Sequence, residues 1–266
     1  MHGTTFDSEW GPLLASVMRV LGIIPARLGS TRLPNKPLQL LSGEPLISRV
    51  VERMLDHDLV DELVVATDSS RIAEAVKPTG VRVVLTRDSH PTGTDRVAEV
   101  AAQPFAAEYS VIVNIQGDEP FLPREALAGA LNRVEQGDDI GTVAAPLEAG
   151  LAADPNRVKV VLGADGRALY FSRAPVPYCR ESASPADGLF WQHLGVYAYS
   201  RSALTRWVAL PPCAAEQAER LEQLRALYYG LTIGVARLEE PALPGVDTAE
   251  DLRRAEAHWH AYQGQV

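Results

Sequence analysis

The stretch IIPARLGSTRLPNKPL (23–38) sets three cations, Arg27, Arg32 and Lys36, in a chain whose formal net charge is −9. No Asp or Glu falls between Trp10 and Gly43. Pro25 and Pro34 forbid a regular helix across the stretch. Guanidinium forks and a lysine point charge on an acid-free loop suit a triphosphate. Ser30 adds a hydroxyl, and Gly29 permits close backbone approach. Neither GxxxxGK[ST] nor GxGxxG occurs, so this is not a Walker A or dinucleotide loop. Taken alone, a solvated basic surface loop accounts for the stretch equally well.

Two acidic motifs add to it. QGDEP (116–120) follows an apolar run, and an Asp at the end of a buried strand can hold Mg²⁺ together with phosphate oxygens. Taken singly, Asp118 also reads as a turn acid. VDTAEDL (246–252) follows a β-like run, with Thr248 placed to cap the next helix and Asp251 three residues on, a near capping box. That leaves Asp247 free to pair with Asp118 around a metal. HPTGTDRVAEV (90–100) opens an amphipathic helix with Asp95 in its cap region and Arg96 available to a neighbouring carboxylate. In the second half, His193 and Tyr197 are four apart and share a face if they lie on a strand. There is no HExxH and no nucleophile elbow, so metallopeptidase and α/β-hydrolase chemistry have no support.

The elements that must position these residues alternate. VLGII (20–24), ELVVATD (62–68), VRVVLT (81–86) and SVIVNIQ (110–116) read as strands. Helical patterns at 45–58, 69–77, 94–102 and 123–136 lie between and after them. This order predicts a mostly parallel, doubly wound α/β sheet with helices on both faces, a Rossmann-like three-layer fold. Ligands then bind outside the carboxyl ends of the strands. After Gly141 the rhythm changes to TVAAPL, RVKVVLG, ALYFS and HLGVYAYS, a smaller mixed β region with an Asp-Gly hairpin turn at 164–167. Helices return near 216–229 and 248–260.

Composition sets the outer bounds. The 266 residues are 46% hydrophobic and 22% charged, ordinary for a globular chain able to bury a core. The acidic balance argues against nucleic acid or an anionic membrane as partner. No apolar run approaches the roughly 20 residues of a membrane helix. Cys179 and Cys213 have no metal-ligand spacing and fit a reducing, cytoplasmic setting. Residues 1–18 read as a flexible extension before a single domain over 19–266. Within it the strand–helix alternation is expected over about 19–140 and the mixed β region over about 141–240.

Taken together, PARLGSTRLPNKPL, ATD, TGTDR, NIQGDEP, DPNRVKVV, ALYFSRAPVP, HLGVYAY, LEQLR and GVDTAEDL resemble, in the same order, the 3-deoxy-manno-octulosonate (Kdo) cytidylyltransferase family. The resemblance runs from about residue 19 to 260. The first half alone also resembles the broader cytidylyltransferases, including those for sialic acids. The family implies a nucleotide-diphospho-sugar transferase-like fold, CTP and Kdo as substrates, Mg²⁺ as cofactor, a cytoplasmic homodimer, and a product that feeds lipopolysaccharide synthesis. It implies that Arg27 and Lys36 bind the triphosphate, with Ser30 in the same loop, and that Arg32 faces both phosphate and sugar acid. Asp118 and Asp247 match the metal carboxylates, and Gln116 a polar group at the substrate. Arg173, His193, Tyr197, Glu222 and Gln223 match the Kdo pocket. Thr67, Asp68 and Arg96 match nucleotide-pocket or supporting residues.

Three positions depart from the family. Asn35 stands where many members have Gly, Thr92 replaces a frequent Ser, and small residues fill PPCAAEQAER. Two other readings follow from the same residues. One keeps the chemistry and changes the acid to 8-amino-Kdo or a sialic-acid-like nonulosonate. The other is a nucleotide-binding homologue without catalysis, which would not need both Asp118 and Asp247.

Overall fold

A computed structural model describes residues 18–30, 32–180 and 188–263, with side chains to 259. The extension expected over 1–18 lies outside these residues, apart from Met18. The chain opens with β1 (Val20–Ala26), whose side chains alternate between two apolar clusters. Leu21 and Ile23 join one, and Val20, Ile24 and Ala26 the other, as a strand buried on both faces requires. The strand runs two residues past its expected end at Ile24. Its pairing with the strand on one side covers only Val20 to Ile23, so the N–H missing at Pro25 breaks no ladder there.

A short hairpin, β2 (Leu40–Leu41) and β3 (Glu44–Pro45), leads into α1 (Leu46–His57). Leu46, Ile47, Val50, Val51 and Met54 form the buried stripe of α1, the spacing of an amphipathic helix. Next come β4 (Glu62–Thr67), α2 (Ser70–Val76), β5 (Arg82–Leu85), α3 (Gly93–Ala101), β6 (Val111–Asn114) and α4 (Arg124–Glu135). The second half holds β7 (Ile140–Leu147), β8 (Lys159–Leu162), β9 (Ala168–Ser172), β10 (Phe190–Ser200), α5 (Arg201–Ala209), α6 (Ala214–Glu219), α7 (Gln223–Tyr228), β11 (Ile233–Arg237) and α8 (Ala249–Gln263). Residues of α1, α2 and α4 pack on one face of the sheet. Those of α3, α5 and α7 pack on the other.

The main sheet runs β11-β7-β10-β6-β1-β4-β5, and the β8–β9 hairpin branches from β10. Pairs β1–β4, β1–β6, β4–β5 and β7–β11 are parallel, while β10 is antiparallel to both β6 and β7. The mixed region therefore continues the nucleotide-type sheet across β10. From β1 the chain moves to β4 on one side and later to β6 on the other. The carboxyl ends of β1 and β6 thus flank a switch point, where open α/β sheets bind ligands. At Gly141 of β7 an added Cβ would lie 1.9 Å from the Ala130 carbonyl oxygen, so α4 rests directly on the strand.

Two further sequence expectations change, and two elements are new. The helical stretch near 216–229 is two short helices, because Arg220 takes a left-handed φ of 54° and closes α6. The run before VDTAEDL is not a strand: β11 ends at Arg237, and an extended loop carries the chain to Asp247. Neither α5 nor β11 stood out in the sequence, since each is short and its burial comes from the neighbouring sheet and helices.

Candidate active site

Two cavities adjoin at the carboxyl ends of β1 and β6. The first, about 420 Å³, is lined by Arg27, Ser30, Arg32, Lys36, Arg96, Gln116, Asp118 and Asp247, among others. The second, about 340 Å³, is lined by Arg173, His193, Tyr197, Glu222 and Gln223, with Asn114, Gln116 and Asp118 on its wall. Gly93, Gln116, Asp118 and Glu222 line both. The loop after β1 supplies the cations. It turns at Asn35, which has a left-handed φ of 52°, a conformation Gly adopts freely and Asn tolerates. The backbone thus accommodates Asn at the position where the resemblance leads one to expect Gly.

At the centre, the Lys36 ammonium bonds to Asp118 and lies 2.8 Å from Asp247 Oδ1. Arg32 pairs with the other oxygen of Asp247 at 2.9 Å. Burial works to lower the Lys36 pKa, but Asp118 and Asp247 outweigh it and the pKa is raised. Asp247 reaches this point because the Val246 N–H donates to the Asp118 carbonyl at 2.8 Å. Thr248 and Asp251 then cap α8 reciprocally: Thr248 Oγ1 accepts from the Asp251 N–H at 3.1 Å, and Asp251 accepts from the Thr248 N–H at 2.9 Å. The Asp247 N–H also donates to Asp251 at 3.3 Å, while the Asp247 carboxylate is left outside the cap, as its sequence position predicts. Among the described residues no three His, Cys, Asp or Glu converge as a metal cage. Two carboxylates that close on one ammonium nevertheless fit Mg²⁺, which takes one or two carboxylates and completes its shell with phosphate and water oxygens.

Arg27 is exposed on the cavity wall and has no ion-pair partner among the described residues. Arg96 is buried and held by Asp68 at 2.7 Å and by Thr86. Thr67 and Asp68, expected as nucleotide-pocket or supporting residues, are not on either cavity wall. Asp68 fixes Arg96, and Thr67 Oγ1 accepts from the Ser69 N–H at 3.2 Å. Their place is behind the wall, supporting it. The sequence reading missed His90, which lines the first cavity and is clamped by Glu99.

The second cavity combines the Arg173 guanidinium with buried polar side chains. Burial pushes His193 down to about 3. Its Nε2 lies 2.9 Å from Thr142 Oγ1, whose own proton goes to the Val196 carbonyl at 2.7 Å. His193 therefore donates from Nε2, which leaves Nδ1 as an acceptor. Burial also raises Tyr197 well above its ordinary range. It likewise raises Glu222, against hydrogen bonds from Thr94 and Thr92. Thr94 Oγ1 donates to Glu222 at 2.9 Å. The sequence reading missed Glu119 on this wall. Burial pushes its carboxyl up to about 8, with the charges of Asp118 and Asp247 adding to the shift. Gly195 of β10 makes room for a shared residue, since a Cβ there would lie 2.8 Å from Gln116 Cγ.

The sequence pattern of the Cytidylyltransferase family matches residues 21–233, and so covers strands and loops of both cavities. The chain belongs to the cytidylyltransferase family. Relatives of this cytidylyltransferase include the 3-deoxy-manno-octulosonate cytidylyltransferase of Gemmatimonas aurantiaca, 52% identical over 91% of this chain and 95% of the relative. That of Methylococcus capsulatus is 49% identical over 89% of this chain and 95% of its own length. Among solved structures, a CMP:2-keto-3-deoxy-manno-octonic acid synthetase complexed with CTP aligns with a TM-score of 0.84 and 39% identity, over 92% of this chain and 99% of that one. The 4-diphosphocytidyl-2C-methyl-D-erythritol synthase of Anaerococcus prevotii, at 11% identity and a TM-score of 0.59 over 91% of this chain and 99% of that one, shares the fold alone.

Proposed function

We propose that this cytidylyltransferase moves CMP from CTP to the 2-hydroxyl of Kdo, releasing pyrophosphate, and that the product serves lipopolysaccharide synthesis. The observation that carries this reading is the wall of Gly93, Gln116, Asp118 and Glu222 shared by the two cavities. A cation-lined space for a triphosphate and a space that offers Arg173 and several hydroxyl-matching groups to a sugar acid meet there, so attacking oxygen and α-phosphorus would share one seam. The 2-hydroxyl oxygen forms the new bond to α-phosphorus, the bond to the oxygen bridging toward the β-phosphate breaks, and the hydroxyl proton leaves.

Such a transfer needs positioning and charge compensation more than covalent help from the protein. Arg27, Lys36 and the Ser30 hydroxyl hold the triphosphate and offset charge on the departing pyrophosphate. Arg32, paired to Asp247 on the wall of the first cavity, would face both the phosphates and the sugar acid. Arg173 faces the sugar carboxylate, while His193 Nδ1, Tyr197, Glu222 and Gln223 meet its hydroxyls. Asp118 and Asp247 are the residues that would hold Mg²⁺, which when bound supplies charge at the phosphates and acidity at the attacking hydroxyl.

The protein acts as a cytoplasmic homodimer in this reading. No helix among the described residues is long and apolar enough to cross a membrane. The outer strand of the β8–β9 hairpin leaves Leu169 and Tyr170 exposed, an edge that a second copy can cover.

Pyrophosphate release with CTP and Mg²⁺, comparing Kdo, 8-amino-Kdo and N-acetylneuraminic acid, tests the reading. Rapid release with Kdo alone is expected. Release with another acid only keeps the reaction and reassigns the second cavity. No release from folded protein that binds CTP overturns the enzyme reading in favour of a nucleotide-binding protein.

A further inference from the structure

One carboxylate outside both cavity walls ties two walls of the second cavity together. Glu219 ends α6, three residues before Glu222. Its Oε1 accepts from Ser172 Oγ at 2.6 Å, and its Oε2 accepts from the Arg173 N–H at 2.9 Å. Its own carbonyl accepts from Arg173 Nε at 2.7 Å. The guanidinium also donates to the Pro155 carbonyl at 2.8 Å and the Arg220 carbonyl at 3.4 Å. From below, the wholly buried Lys159 donates to the Arg173 carbonyl at 2.6 Å and the Asp154 carbonyl at 3.0 Å.

This network has a consequence for Arg173. Three of its five side-chain N–H donors are spent on backbone carbonyls. Carbonyls orient the guanidinium without cancelling its charge, and two donors stay available to an acidic ligand. The same residue that receives the Arg173 backbone also anchors the turn through Arg220, from which Glu222 and Gln223 enter the cavity. That turn needs an anchor, because Arg220 is a non-glycine residue at φ 54°.

We infer that Glu219 is a positioning residue: it fixes the Arg173 wall and the Glu222–Gln223 turn to one another, so the sugar-acid cavity is assembled as a unit. Lys159 supports it from beneath through its bonds to the Arg173 and Asp154 carbonyls; burial lowers its pKa, and the charges of Asp154 and Glu219 oppose that shift only in part. The inference rests on the reading of the second cavity as the sugar-acid site. It predicts a defect confined to that cavity, since Glu219 bonds to none of the described residues of the cation loop.

Two measurements on Glu219→Gln test it. Glutamine keeps the size but turns an N–H₂ toward one of the two donors that the carboxylate now receives. Hydrogen exchange, which needs no substrate, is expected to accelerate several-fold in both 172–174 and 220–224, with 27–38 unchanged. Acceleration in one segment only, or in neither, overturns the coupling. In steady-state turnover, the KM for the sugar acid is expected to rise at least fivefold while the KM for CTP stays within twofold. Equal changes in both, or no change in either, also overturn it. Glu219→Asp, which keeps the charge, is expected to recover part of the sugar-acid KM; if Glu219→Gln folds poorly, this variant carries the same two measurements. Wild-type protein that turns over another acid but not Kdo refutes the Kdo assignment alone, and the exchange result still decides the role of Glu219.

Discussion

Lys36 sits between Asp118 and Asp247, an arrangement in which one ammonium holds together two carboxylates from distant loops. Removing the charge leaves the carboxylates facing each other and strips the triphosphate of a cation. Lys36→Met is therefore expected to lower kcat/KM for CTP about 10²-fold or more, measured by pyrophosphate release. Gly195 offers a sharper test of the seam between the cavities. An added methyl would sit 2.8 Å from Gln116 Cγ, so Gly195→Ala must push Gln116 off the shared wall. The expected result is a fall in turnover with thermal stability nearly unchanged and CTP binding retained, checked by calorimetric titration with CTP. Loss of CTP affinity in step with turnover would show that Gln116 is not confined to the seam. At this scale the sequence was informative wherever residue type implied charge chemistry. It was silent on Glu119 and His90, whose roles come from what surrounds them.

Secondary elements set how those side chains arrive. The contact of α4 on β7 leaves no space for a Cβ at Gly141, and the atom it would meet is a backbone carbonyl, which cannot swing aside. Gly141→Ala is expected to cost at least about 2 kcal/mol, read as a lower urea midpoint with unchanged slope. At the start of α8, the Thr248–Asp251 cap holds the residue next to Asp247. Thr248→Ala is expected to cost about 1 kcal/mol and also to weaken turnover, because Asp247 loses its fixed neighbour. Thermal melts and rates on the same preparation check both. The cap was legible because both partners lie within four residues. The split of the 216–229 helical stretch was not, because a left-handed arginine leaves no sequence signature.

Over the whole molecule, burial makes stability depend on pH. His57, at the end of α1, is 4% exposed, and burial together with Arg53 and Arg124 lowers its pKa to about 4. Neither ring nitrogen has a hydrogen-bond partner among the described residues. The folded pKa lies below the ordinary value of 6.5, so the unfolded chain binds the proton first as pH falls. Stability complete above about pH 6.5 is then lost progressively toward pH 4, on the order of 1–3 kcal/mol from this group. Urea midpoints at pH 7 and pH 5 check it. His57→Phe is expected to shrink the difference, and an unchanged difference would assign the acid sensitivity elsewhere.

The sequence by itself determined the chemistry and the layered fold. Charge type, proline placement and alternating apolar runs act over a few residues, so the cation loop, the two aspartates and the β/α order could be read from local spacing. Tertiary structure decided convergence. Lys36 and Asp247 are 211 positions apart yet hydrogen-bonded at 2.8 Å, and only the β1–β6 switch point and the Val246–Asp118 backbone bond bring them together. It also decided that β10 runs antiparallel between β6 and β7, joining the two halves into one sheet, and that Thr67 and Asp68 stand behind the wall. Such facts depend on which surfaces exclude water from one another, and no local pattern encodes that pairing.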